Sequence, residues 1–95
     1  MNKINLLIEL CIKFFSEQNF KGFIKSLLTL KAEVIKVDPE KLNDGLVDLI
    51  MDENCIDWAV SSIDRAPTDY DWEAARLIAL DLQEILNEIV KNEVQ

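Results

Sequence analysis

Carboxylates supply most of the reactive chemistry in this chain, and they crowd into its middle. The stretch DGLVDLIMDENCIDW, residues 44–58, carries Asp44, Asp48, Asp52, Glu53 and Asp57 with no lysine or arginine among them. Asp64, Asp69, Asp71 and Glu73 follow, the last three interleaved with Tyr70 and Trp72. Side chains of this type can move protons as general acid and base, ligate a hard cation, or face a positively charged surface.

The first two uses lack their companions. The chain has no histidine, which removes the usual general base of nucleophilic triads and the Glu-x-x-His ligands of di-iron bundles. Neither a paired CxxC nor a glycine-rich phosphate loop is present. Asp69-Tyr70-Asp71-Trp72-Glu73 imitates the opening ligands of a calcium loop. However, Ala74 stands where that loop needs glycine, and Leu80 where it needs a bidentate glutamate. The sequence therefore points to no catalytic residue, no metal and no cofactor, and the expectation is that the protein is not an enzyme.

The third use fits the spacing. On one helix, positions 44, 48 and 52 would advance about 6 Å per step and drift only about 40° each, forming a single row. Like charges four residues apart repel at a cost of about 0.2–0.5 kcal/mol per pair, and a surface shaped only for solubility intersperses lysines. Residues 1–36 hold six lysines against three glutamates, whereas residues 37–95 hold four basic residues against fifteen acidic ones. Such asymmetry implies a basic partner and excludes nucleic acid as a direct ligand of the acidic part. The candidate partner-binding residues are Asp44, Asp48, Asp52, Glu53, Asp57, Asp64, Asp69, Tyr70, Asp71 and Glu73. Tyr70 is expected to be exposed, and Trp72 to cap one end of the core. Neutralising Asp44, Asp48 and Asp52 together is expected to leave stability unchanged or slightly higher. The competing reading is an ordinary solvated face, neutralised by the lysines of the first helices.

The elements that must carry these residues are helices. Ile4, Leu7, Ile8, Cys11 and Phe15 mark one helix over 4–16, and Phe20, Phe23, Ile24, Leu27, Leu28, Val34 and Ile35 a second over about 20–36, capped by Asn19. Asp38-Pro39-Glu40 reads as the start of a third. Its stripe runs through Leu42, Leu46, Leu49, Ile50, Ile56, Val60 and Ile63, with Glu53 in its midst, so a kink or break is expected near 52–54. Pro67 ends that element, and Thr68 with Asp71 forms a capping-box variant opening a last helix over about 69–92. No strand pattern persists. The expected fold is all-α, an antiparallel up-down four-helix bundle forming a single domain over 1–95.

Leu42-Asn43-Asp44-Gly45, opening a helix before an acidic stretch, together with the chain's size, acidity and four-helix pattern, resembles the bacterial toxin immunity proteins, in particular the colicin D immunity-like and contact-dependent-inhibition immunity families. The resemblance implies a cytoplasmic inhibitor whose carboxylates occupy the basic cleft of a nuclease toxin in place of nucleic-acid phosphates. It implies no individual contact residue. Two alternatives stand beside it: a phage or plasmid nucleic-acid mimic that inhibits a host nuclease, and a non-inhibitory helical module that binds through the apolar flank of Val47, Met51, Cys55 and Trp58. Cys11 and Cys55 read as reduced, buried thiols of a cytoplasmic protein. No apolar run is long enough for a membrane span, and the lysines of the first helices read as a solvated edge, not a membrane-binding face.

Overall fold

Apolar residues that recur every three or four positions give each segment one face to bury, and helices are the only element that uses that spacing. The computed structural model describes residues 2–94, with side chains over 3–92; the ends of the expected 1–95 domain, residues 1 and 95, lie outside the described residues. The described residues fold into five helices, α1 Asn2–Ser16, α2 Phe20–Val34, α3 Asp44–Ile50, α4 Glu53–Ser62 and α5 Asp69–Val94, with a 3₁₀ turn at Pro39–Lys41. Among the described residues there is no strand.

The α1–α2 link is three residues long, and local chemistry fixes it. Gln18 takes a left-handed conformation (φ 59°), which lets the Asn19 N–H close back on the Phe14 carbonyl at 2.9 Å. The Asn19 side chain then accepts the Gly22 N–H at 2.9 Å, capping α2 as its sequence position predicts. Gly22 is required by close approach, because a Cβ there would stand 2.9 Å from the Phe14 ring. Lys3 pairs with Glu33 at 3.6 Å, so the start of α1 lies beside the end of α2 and the two helices form a hairpin.

The third segment departs from the single helix expected from its start signal. Asp38 does cap, accepting the Glu40 N–H at 3.0 Å, but the turn it opens lasts only through Lys41. Leu42 becomes extended, which turns its side chain into the core at 7% exposure. Asn43 then recaps the chain, accepting the Leu46 N–H at 3.1 Å, and α3 begins at Asp44. The break expected near 52–54 falls at Met51–Asp52. It spares Glu53 from the core stripe and leaves it exposed.

The core runs the length of the molecule, with Ile8, Phe23, Leu27, Leu46, Ile50 and Leu82 at 1% exposure or less. Its four phenylalanine and tryptophan contacts lie at one end. There Trp72 of α5 meets Phe15 of α1 at 6.1 Å and Phe20 of α2 at 5.3 Å, and Phe20 in turn meets Trp58 of α4 at 6.0 Å. Trp72 thus caps the core as expected, and edge-to-face pairs of this kind stabilise beyond their buried area.

Cys11 is fully buried and Cys55 half-buried, both as free thiols. Burial pushes Cys11 up to about 12, and burial with the Asp52 charge nearby pushes Cys55 up to about 11. Because the thiolate is the reactive form, both should label far more slowly than an exposed cysteine at neutral pH, with Cys55 reacting first. Leu82→Ala should lower unfolding free energy by roughly 2–5 kcal/mol in urea denaturation, the cost of emptying a leucine site in a packed core.

Candidate acidic interface

The acidic residues separate into structural and free groups once their partners are traced. Asp71 belongs wholly to the first group. It is 0% exposed, contrary to its expected place on a partner-binding face. One carboxylate oxygen accepts the Trp58 indole N–H and an Arg65 Nη2–H, each at 3.0 Å. The other accepts the Thr68 backbone N–H at 2.9 Å, the Thr68 hydroxyl at 3.1 Å and a second Arg65 N–H. The Asp71 N–H returns a bond to Thr68 Oγ1 at 3.2 Å, completing the expected capping box. The physical reason for its burial is register: Asp71 lies four residues before Ala75 and eleven before Leu82, on the face of α5 that enters the core. The Arg65 guanidinium is the main influence holding the Asp71 carboxyl well below the usual carboxylate range, aided by the Thr68 and Trp58 donors.

Asp52 also has a structural task. It sits at the N-cap of α4 and accepts the Asn54 N–H at 2.9 Å. The row expected over 44, 48 and 52 therefore ends at Asp48, because the helix carrying it stops at Ile50. Its joint neutralisation with Asp44 and Asp48 is not free of cost, since losing an N-cap costs about 1 kcal/mol. Glu73 is exposed but compensated, paired with Arg76 through two hydrogen bonds, and that arginine holds the carboxyl below its ordinary value. Asp69 and Glu73 share the rim of a cleft of about 600 Å³ floored by Phe15 and Trp72.

Asp44, Asp48, Glu53, Asp57, Asp64, Asp69 and Tyr70 are exposed, with Tyr70 at 74%. Among the described residues the ion pairs are Lys3–Glu33, Lys36–Glu33, Arg65–Asp71 and Arg76–Glu73, so no cation offsets Asp44, Asp48, Asp57, Asp64 or Asp69. Among the described residues the lysines of α1 and α2 form no ion pair with these carboxylates.

A groove between α3 and α5 adds residues that the sequence reading missed. It has a volume of about 400 Å³ and is lined by Asn43, Gly45, Asp48, Leu49, Asp81, Glu84, Ile85 and Glu88. Asp48 from α3 thus faces three carboxylates from α5 across a partly apolar floor. Gly45 lies against Ile85 of α5, where an added Cβ would make ordinary contact at 3.5 Å. The signal was present in the spacing of 81, 84 and 88, which puts those acids on one flank of α5. Among the described residues no three acidic or thiol side chains converge as a metal-binding set. The apolar flank considered as a docking surface is mostly covered: Met51 is 49% exposed, while Val47, Cys55 and Trp58 are half-buried against the core.

Comparison with family models, with curated proteins and with solved structures finds no match to this chain.

Asp71→Asn should destabilise the fold by about 3 kcal/mol, the low end for removing one member of a buried pair, because Arg65 still reaches water. A folded value below the unfolded one means that Asp71 stabilises fully above about pH 4 and loses that contribution as pH falls through its folded value. Acid unfolding followed by circular dichroism should accordingly be shallower for Asp71→Asn than for the unmodified protein.

Proposed function

We propose that this protein is a cytoplasmic immunity protein, an antitoxin-like inhibitor that binds a basic nuclease toxin through the acidic face of α3, α4 and α5. We read its five helices as an antiparallel, up-down four-helix bundle in which α3 and α4 in series form the third member. The observation that carries the functional reading is the α3–α5 groove, where Asp48, Asp81, Glu84 and Glu88 gather without a cation. Their mutual repulsion is a standing cost in the free protein, and a cationic surface relieves it on binding.

The mechanism needs no chemistry on this chain. A nuclease holds its substrate by cationic groups placed against phosphates. Carboxylates that occupy those groups stand in for phosphates and close the cleft to RNA or DNA. Complementary fields speed encounter, and the apolar floor of Leu49 and Ile85 adds contact once the surfaces meet. A nucleic-acid mimic directed at a host restriction or CRISPR nuclease would use the same face, and its target separates the two readings.

The test is a panel of purified basic nuclease toxin domains, scored for binding and for survival of cells expressing each toxin with this protein. The variant Asp48→Asn, Asp81→Asn, Glu84→Gln, Glu88→Gln leaves the Asp52 cap and the Asp71 network intact. It should bind the cognate toxin at least tenfold more slowly at low salt, fail to protect, and be as stable as the original or slightly more so. The control Lys21→Gln, Lys25→Gln should bind and protect normally. Equal protection by the acidic-groove variant would reduce the carboxylates to a solvated face.

A further inference from the structure

Helical spacing puts Asp69, Trp72, Glu73 and Arg76 on one face of the first two turns of α5, at positions i, i+3, i+4 and i+7. That face meets Phe15 from the end of α1, and between them lies the cleft of about 600 Å³. Its volume falls within the roughly 300–1,000 Å³ of small-molecule sites. The cleft shares no lining residue with the α3–α5 groove.

The floor is aromatic and held in place. Phe15 and Trp72 are half-buried, with ring centroids 6.1 Å apart and planes inclined at 59°. Phe15 rests on Phe23 at 6.0 Å and Trp72 on Phe20 at 5.3 Å, and both supporting rings are buried in the core. The wedge of the two rings is therefore preorganised, and a cation over such rings is attracted by their π-systems.

The rim selects the sign of the ligand. Arg76 donates from Nε and Nη2 to the two carboxylate oxygens of Glu73, so this pair closes part of the rim without adding net charge. Asp69 is exposed and has no ion-pair partner among the described residues. One uncompensated carboxylate thus stands at the edge of an aromatic floor. An anion would meet Asp69 and find Arg76 already engaged. An ammonium group would answer the charge alone, whereas a planar guanidinium can both stack on a ring and offer its fork to a carboxylate.

We propose that this cleft is a binding site for a guanidinium group, presented by an arginine side chain of a basic protein. That the arginine belongs to a toxin rests on the function proposed above; the site itself does not.

The test needs no toxin. Isotope-labelled protein is titrated with N-acetyl-arginine amide, with the lysine analogue, and with the citrulline analogue, which keeps the shape of arginine but carries no charge. The arginine analogue should shift the Trp72 indole and the Asp69 amide with a dissociation constant of order 10–100 mM, as expected for one exposed cation–π contact and one surface ion pair. The Trp58 indole N–H, which is bonded to Asp71, should move little. At the cleft the lysine analogue should bind about threefold more weakly than the arginine one, whereas the α3–α5 groove, with no ring in its lining, should not distinguish them. The citrulline analogue, and Asp69→Asn titrated with the arginine analogue, should each lose about fivefold. The groove variant Asp48→Asn, Asp81→Asn, Glu84→Gln, Glu88→Gln should keep the Trp72 response. This pattern in a protein that protects against no toxin would keep the site and remove only the toxin. No shift at Trp72, an equal response to the citrulline analogue, or an undiminished response in Asp69→Asn would each overturn the proposal.

Discussion

An ionised carboxylate taken out of water loses several kcal/mol of hydration unless the protein replaces it donor for donor. Asp71 is placed at that cost by the register of α5, and the turn from α4 to α5 is built to meet it. Trp58 reaches it from α4, Arg65 from the loop, and Thr68 from the residues that cap α5. Each donor comes from a different part of the turn, so satisfying one carboxylate fixes the angle at which α5 leaves α4. The same tryptophan that donates to Asp71 packs its ring on Phe20, which packs on Trp72. Through that chain of contacts the polar junction sets the seat of the aromatic end of the core, and α1 and α2 close against it.

Arg65 has a second consequence for charge. Between Asp38 and Glu73 it and Lys41 are the only cations, and Arg65 is committed to Asp71. Among the described residues Asp44, Asp48, Asp57, Asp64 and Asp69 accordingly have no ion-pair partner. Five of the eight lysines sit on α1 and α2 and Lys36 just after them, where Lys3 and Lys36 pair with Glu33, while Lys41 precedes α3 and Lys91 lies near the end of α5. Segregation in sequence becomes segregation in space, and the α3–α5 groove is where it is most concentrated. A small chain tolerates this because screened surface repulsion is worth only tenths of a kcal/mol per pair.

Much of the fold was legible because caps and apolar spacing are local signals. Asn19 and the Thr68–Asp71 box act where their positions predict, and Glu53 on an apolar stripe announced the break before α4. The start at Asp38 misled because the cap is genuine yet the helix is not continued: burying Leu42 required an extended residue, a tertiary demand that outweighed the local one. The acidic site was less legible. Charge alone put Asp71 on the surface, although its register with Ala75 and Leu82 already pointed inward. Asp81, Glu84 and Glu88 gain their meaning only beside Asp48, a neighbour in space more than thirty positions away.

The central claim, that the α3–α5 groove receives a cationic protein surface, is tested most directly by titrating the isotope-labelled protein with basic nuclease toxin domains and following backbone and side-chain resonances. The account predicts that shifts centre on Asp48, Leu49, Asp81, Glu84 and Glu88, extend to Asp44, spare Lys21 and Lys25, and shrink as salt is raised. Shifts centred on the α1–α2 hairpin, or a footprint indifferent to ionic strength, would contradict it.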